Sequence, residues 1–468
     1  MRKASLRVLI LFSGLMTPPS FDSNSPIGWT GAATRFFEVL KKGQSRGVEY
    51  VVVFEKWAFL QATKQFSSVS DALKNHRIYL VDLVPTGANV LSDRWIRRFM
   101  KTKLFGPILK YVQILRSSIV QTLCSSIVVS RIATEEKVDL VLSTSESSWL
   151  SLEAYIAAKI SRKPWTAIWQ SSGQLSKRLS EPTVEFSSHK TRNIMSFASS
   201  KANARRNSKN HKLVQAITAL TELMLAERTL TLTVSRSIVE QIGTLNPRAK
   251  FHLISPGNGI DLSQYQGRSI DRKYDAIFFA RLVPQKGLYD LPKIWNLVLR
   301  SLPQAKLAVV GIPDDSSYID HFNGLVQRNH LSENIAFLGE FGGIELIQLI
   351  KSSGITLYPS TIDSFALAVL ESLACGVPVV AYDIPAIREN YGSCPAVLRC
   401  DVRDVKSMAR RTISLLKNEN LRTKLSEKAE EYSAKYDWSH VAKSEKEAYF
   451  RVIEYFNSKK AVPNLSRR

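Results

Sequence analysis

The chain has 468 residues, 44% of them hydrophobic, and 64 Lys and Arg set against 41 Asp and Glu give a net charge of +23. Such a length exceeds a usual single domain and the apolar content supports two sizeable cores, which excludes a disordered chain. Four cysteines, Cys124, Cys375, Cys394 and Cys400, show no metal spacing and are few for a disulfide framework, so a reducing cytosol is the expected compartment.

From the N-terminus, LRVLILFSG (Leu6 to Gly14) is a short apolar run that in isolation resembles a signal peptide. No small-residue cleavage pattern follows it, whereas TGAATRFFEVLKKG (Thr30 to Gly43) reads as a helix, so the pair is the strand-loop-helix opening of a Rossmann-like domain. Gly31 lets the N-terminal amides of that helix approach a phosphate. Two basic segments follow: 94–116 and 186–213 each hold seven Lys or Arg and no acid. The first interleaves its cations with Trp95, Ile96, Phe99, Met100, Leu104 and Phe105, the composition of a helix that lies on an anionic bilayer. The second is Ser- and Asn-rich and reads as an insertion. No uninterrupted apolar stretch reaches the length of a bilayer, so no transmembrane helix is expected.

The first domain is expected over 1–262, with a linker around Ser263 to Arg272. Beyond it, over 273–440, DAIFFA, AKLAVVG, NIAFLG, GITLYPS and PVVAY alternate with helical stretches, the pattern of a parallel sheet covered on both faces. Residues 441–468 form a closing helix and a polar tail.

Two stretches of the second domain carry chemistry. DAIFFARLVPQKG (Asp275 to Gly287) is a buried strand followed by a loop bracketed by Arg281 and Lys286, a guanidinium and an ammonium placed to meet a diphosphate at a strand end. YPSTIDSFALAVLESLACGVPVVAY (Tyr358 to Tyr382) reads as loop, helix, Gly376 cap and strand, with apolar helical spacing from Phe365 to Ala374. Asp363 then sits at the helix mouth and Glu371 two turns deeper; eight helical residues rise roughly 12 Å, comparable with the sugar-to-ribose span of a nucleotide-sugar.

The second stretch resembles the Glu-x7-Glu signature of the retaining glycosyltransferases of family 4, with Asp363-Ser364-Phe365-Ala366 in place of Glu-Gly-Phe-Gly. Arg281 and Lys286 resemble the cations of that family's "GRLVPEKG" pattern. TVSRSIVEQI near Val234, SPGNGID (Ser255 to Asp261) and NIAFLGEF (Asn334 to Phe341) are similar to its last N-domain strand, its interdomain turn and the strand before its base-binding loop. The resemblance implies the GT-B fold: two Rossmann-like α/β domains with parallel sheets facing across a cleft, the last helix returning to the first domain. It further implies that Arg281, Lys286 and Asp363 are catalytic, and that Gly31, Gly339, Phe341, Phe365, Ala366, Leu367 and Glu371 bind the donor. The first carboxylate would hold the sugar and the second the ribose. The donor would be a UDP- or GDP-sugar, with no other cofactor and no metal. Many relatives place a His beside the sugar; the comparable strand end here, VLSTSESS (Val141 to Ser148), has none, which leaves Glu146 and Gln170 as acceptor candidates.

The expected activity is transfer of a sugar, with retention, to a lipid-linked or membrane-associated glycan precursor. A sugar or lipid-phosphate acceptor and an anionic membrane surface are the expected partners, and the location is cytoplasmic, peripheral on the membrane face. The alternative is a glycosyltransferase-like subunit without turnover that uses its basic surface for lipid or nucleic acid. No helix-turn-helix, zinc-finger or RNA-recognition signature accompanies the charge, so no specific nucleic acid is expected.

Overall fold

The structure, a computed structural model, describes residues 5–12, 31–55, 59, 73–81, 106–144, 148–170, 221, 223–267 and 270–461. The chain forms two compact units. One comprises Met1–Val234, Ile238–Ile254 and Ala442–Arg468, the other Ser235–Ser237 and Ser255–Val441.

In the first unit the strands are β1 (Leu6–Phe12), β2 (Val48–Glu55), β3 (Arg77–Val81), β4 (Leu140–Ser143), β5 (Trp165–Trp169), β6 (Leu230–Thr233) and β7 (Lys250–Leu253). They lie in the order β3-β2-β1-β4-β5-β6-β7, all neighbours parallel. Helices α1 (Gly31–Ser45), α2 (Gly106–Glu135), α3 (Ser148–Ile160) and α4 (Arg236–Leu245) connect them. Runs such as Val8 to Leu11 and Val51 to Phe54 are buried throughout, because a parallel sheet hides both faces and leaves no position for a polar alternation. TVSRSIVEQI only ends β6 before becoming α4, and β7 closes the sheet one strand later than its resemblance implied.

The second unit contains α5 (Leu262–Tyr265), a short helix capped by Asp261 that runs into the start of the expected linker. Its strands are β8 (Tyr274–Phe279), β9 (Leu307–Val310), β10 (Ile335–Gly339), β11 (Ser353–Tyr358), β12 (Val379–Tyr382) and β13 (Val397–Cys400), in the parallel order β10-β9-β8-β11-β12-β13. Between them run α6 (Leu291–Leu299), α7 (Ser316–Arg328), α8 (Gly343–Lys351), α9 (Leu367–Ala374) and α10 (Pro385–Tyr391), followed by α11 (Val405–Lys417) and α12 (Glu419–Ser433). The core centres on Trp295, Phe278, Tyr382 and Tyr391.

The last helix, α13 (Trp438–Ala461), contributes its residues from Ala442 onward to the first unit. There Glu445 forms a buried ion pair with Arg35 of α1 and accepts from Tyr449, and Lys446 donates to the Arg46 carbonyl. Breaking one partner of such a pair leaves a bare buried charge, so α13 is firmly bound to this unit around Glu445.

Candidate active site

The strand order of the second unit reverses between β8 and β11. Chain leaving these neighbours departs in opposite directions, and the opening at their C-terminal ends is where open α/β sheets bind ligands. Arg281 and Lys286 follow β8, whereas Asp363 follows β11 and Glu371 lies on the helix beyond.

The two loops are locked together. Pro284–Lys286 form a 3-10 turn ended by Gly287 at φ 81°, and a Cβ there would stand 2.1 Å from the Pro359 carbonyl oxygen. Only glycine permits that approach. The Thr361 amide and hydroxyl donate to the Gln285 carbonyl at 2.9 and 3.0 Å. Lys286 is thereby brought onto Asp363, each side chain 18% exposed.

Asp363 is surrounded by donors. Its Oδ2 accepts from Lys286 and from the buried Tyr358 hydroxyl, and its Oδ1 accepts from the amides of Ser364, Phe365 and Ala366 at 2.7, 3.2 and 3.1 Å. Burial opposes its ionisation, but the Lys286 charge and these hydrogen bonds outweigh it and hold the pKa at about 2. Five donors saturate a carboxylate that offers about four lone-pair positions. The amides of Phe365 and Ala366 therefore face Asp363. The Phe365 ring is buried against Tyr391 and Tyr436, and Leu367 packs on the core.

Because Asp363 draws these amides, α9 starts only at Leu367, with Ala366 in the left-handed region at φ 64°. Glu371 accordingly lies one turn into the helix rather than two. It is half-buried and accepts from the Tyr265 hydroxyl of α5 at 3.5 Å, and burial pushes its pKa up to about 7 while that hydroxyl pulls it back. The same burial and the Glu371 charge raise the pKa of Tyr265.

Arg281 is exposed and pairs with Asp314 at 2.9 Å. Gly339 ends β10 at φ 81° with open space where a Cβ would be, and Phe341 packs partly buried beside Ile347 and Ile350. In the first unit Gly31 opens α1 and Gln170 follows β5, while Glu146 lies outside the described residues. The structure thus joins Lys286 to Asp363, and it adds Tyr358, Tyr265, Gly287 and Asp314, to which the sequence reading gave no role. A glycine directly after the lysine was the one available signal for the close approach of the loops.

No group of His, Cys, Asp and Glu able to hold a metal occurs among the described residues, and no helix among them is long and apolar enough to cross a membrane.

The sequence pattern of the family "Glycosyl transferases group 1" matches residues 263–432. Poly(glycerol-phosphate) alpha-glucosyltransferase of Bacillus subtilis is 26% identical over 170 residues, 35% of this chain and 24% of that protein. Phosphatidyl-myo-inositol mannosyltransferase of Mycolicibacterium smegmatis is 25% identical over 192 residues, 40% of this chain and 48% of that protein. The match therefore spans from about a quarter to about half of these relatives' lengths. Among solved structures, Anabaena HepE in complex with UDP aligns over 95% of this chain and 100% of its own, with a TM-score of 0.62 at 16% identity, a likeness of fold. Two parallel Rossmann-like sheets make this a GT-B fold, and residues 263–432 of it match the glycosyl transferases group 1 family.

Proposed function

We propose that the protein is a retaining glycosyltransferase that moves a sugar from a nucleotide-sugar, a UDP-sugar first among them, to a lipid-linked or membrane-associated acceptor. The observation that carries this reading is the meeting of the β8 and β11 loops, which sets Lys286 and Asp363 together at the switch point with Arg281 on the same strand end. In the reaction the bond from the anomeric carbon to the diphosphate breaks and a bond to the acceptor oxygen forms. The acceptor's proton passes to the departing phosphate oxygen. Arg281 and Lys286 stabilise the charge that grows on that diphosphate, which is where fixed cations lower a barrier most. Glu371, once ionised, accepts from the ribose hydroxyls. Asp363 fixes Lys286, and a sugar hydroxyl reaches it only by taking the place of one of its five donors.

The relatives named for polyol-phosphate and phosphatidylinositol acceptors, and the HepE complex with UDP, support these choices of acceptor and donor. A membrane-associated acceptor is also supported by α2. Leu123, Ile127 and Val128 on it are 47, 45 and 42% exposed, and its first turns are residues 106–116 of the basic segment. Residues 94–105 and the segment 186–213 lie outside the described residues. Sedimentation with anionic vesicles at low and moderate salt tests that surface, and absence of binding in both removes it.

The donor is tested by a thermal-shift panel of UDP-, GDP-, ADP- and dTDP-sugars. A saturable rise in Tm with one nucleotide class is expected; none with any of them overturns the donor site. The saturation of Asp363 favours one other reading, a binding subunit without turnover. A donor that binds but is never hydrolysed or transferred would select it.

A further inference from the structure

Both cations assigned to the diphosphate already have a partner within the chain, and the two pairs differ in kind. Lys286 and Asp363 are 18% exposed each and are tied into a network with Tyr358 and three amides. Arg281 and Asp314 are 69% and 48% exposed, with one contact at 2.9 Å between them. The first pair is built into the loop, whereas the second is free to exchange.

We propose that Asp314 is a removable counter-ion for Arg281: it holds the guanidinium at the end of β8 while no nucleotide is bound and gives way to the diphosphate. This rests on the reading of Arg281 as a diphosphate ligand. Backbone geometry makes the pairing specific. The Ala280 amide donates to the Val310 carbonyl at 3.2 Å and the Leu282 amide to that of Ile312 at 2.8 Å, and Leu282 bridges to Pro313. Gly311, at φ 144°, lets the segments close, since a Cβ there would lie 1.8 Å from the Ala280 oxygen. The chain leaving β9 is thus zipped to the chain leaving β8, which delivers residue 314 to residue 281.

The neighbouring acid shows that this placement has its own purpose. Asp315 caps α7 by accepting from the Ser317 amide at 2.8 Å, so its carboxylate serves the helix. Asp314 takes no part in that cap and turns to Arg281. Chemically, a guanidinium fork prefers the several oxygens of a diphosphate to one carboxylate oxygen, so the exchange runs toward the nucleotide. The displaced carboxylate returns to water at little cost because it is already half exposed. The counter-ion weakens every anion's hold on Arg281 by the same factor, and it keeps the guanidinium oriented in a protein of +23 net charge.

The test is titration calorimetry of UDP with the full-length protein and with Asp314→Asn, Asp315→Asn, Arg281→Ala and Arg281→Ala/Asp314→Asn. Asp314→Asn is expected to bind UDP about two- to fivefold more tightly, the range set by exposed ion pairs. That gain should shrink at high salt and vanish when Arg281 is alanine. Asp315→Asn, which removes an adjacent charge while keeping a good cap, should change the affinity less. An unchanged or weaker affinity in Asp314→Asn overturns the proposal, as does an equal gain in Asp315→Asn or in the Arg281→Ala background. If the unaltered protein binds none of UDP, GDP and ADP, the donor-site reading falls, and this role of Asp314 with it.

Discussion

Asp363 and Glu371 lie on one continuous segment and both are shielded from water, yet the first is held at a pKa of about 2 and the second is raised to about 7. Burial pushes both upward. What separates them is the supply of donors: a cation, a phenol and three amides at Asp363, against one long hydroxyl contact at Glu371. Desolvation alone neutralises a carboxylate, whereas desolvation among donors fixes its charge. In the proposed reaction the ionised acid is therefore a permanent anchor for Lys286, and the half-titrated acid is the one left to meet a ligand.

Removing the cation breaks the comparison most severely. Lys286→Ala is expected to lower turnover by about 100-fold or more, the usual loss when one donor to a developing oxyanion is deleted. It is measured as nucleotide release from whichever sugar donor the thermal-shift panel selects. The variant should remain folded by circular dichroism near neutral pH. Its acid limb should move, however. A depressed folded pKa stabilises above the unfolded value of 3.8 and is lost as pH falls through about 2, a contribution of about 2 kcal/mol. Lys286→Ala removes part of it, so acid unfolding should begin at higher pH. Unchanged turnover would take Lys286 out of the mechanism.

Glu371 gives the opposite sign. Its folded pKa of about 7 exceeds the unfolded 4.5, so its stabilising share is complete below 4.5 and disappears as pH rises through about 7, a loss of about 3 kcal/mol. Donor affinity should run the other way, because the ionised carboxylate is the better acceptor for ribose hydroxyls. Binding of UDP-glucose, whose diphosphate does not titrate in this range, should strengthen from about pH 6 to about pH 8. Glu371→Gln should flatten that rise, weaken binding and stabilise the protein at the alkaline end. A flat profile in the unaltered protein would separate Glu371 from the nucleotide.

The second unit was legible almost residue by residue. DAIFFA, NIAFLG and PVVAY overlie β8, β10 and β12 because fully buried parallel strands are short apolar runs stopped by Gly, Pro or a charge. The helix of the site was read two residues too early, at Phe365, since apolar spacing does not reveal that a neighbouring carboxylate has captured the first amides. Tyr358 and Asp314 escaped for a related reason. Their roles depend on which strands become neighbours, and the β9-β8-β11 order is a property of topology that no local pattern carries. The DD pair at 314–315 held a usable hint, because α7 needs only one of the two acids as its cap.

A third carboxylate, in the first unit, sharpens the contrast without involving the site. Glu153 of α3 is fully buried against α2 with one contact to the Ser125 hydroxyl at 2.6 Å, and burial lifts its pKa to about 8. It behaves as Glu371 does, only more so. Stability should fall as pH rises from 4.5 through about 8, by about 1.4 kcal/mol per pH unit over that interval. Glu153→Gln keeps the Ser125 contact and removes the titration, so the alkaline loss measured by urea unfolding should shrink while nucleotide binding stays as it was. Equal pH dependence in both proteins would assign the loss to other groups.

The smallest expected effect returns to the turn that Asp363 organises. Ala366 holds φ 64°, where a Cβ collides with backbone at a cost of about 1–2 kcal/mol that glycine avoids. Against this, its methyl is buried and its removal forfeits about 0.8 kcal/mol, and glycine adds unfolded-state entropy of a few tenths or more. The terms nearly cancel, so Ala366→Gly should change stability by less than about 1 kcal/mol in either direction. That narrow result has diagnostic value. If the hydrogen bonds from the three amides to Asp363 set the loop, the carboxylate and not the residue at 366 dictates the turn, and nucleotide affinity should be unaltered. A large stabilisation together with a change in affinity would mean that the alanine's strain, rather than the clamp, shapes the loop.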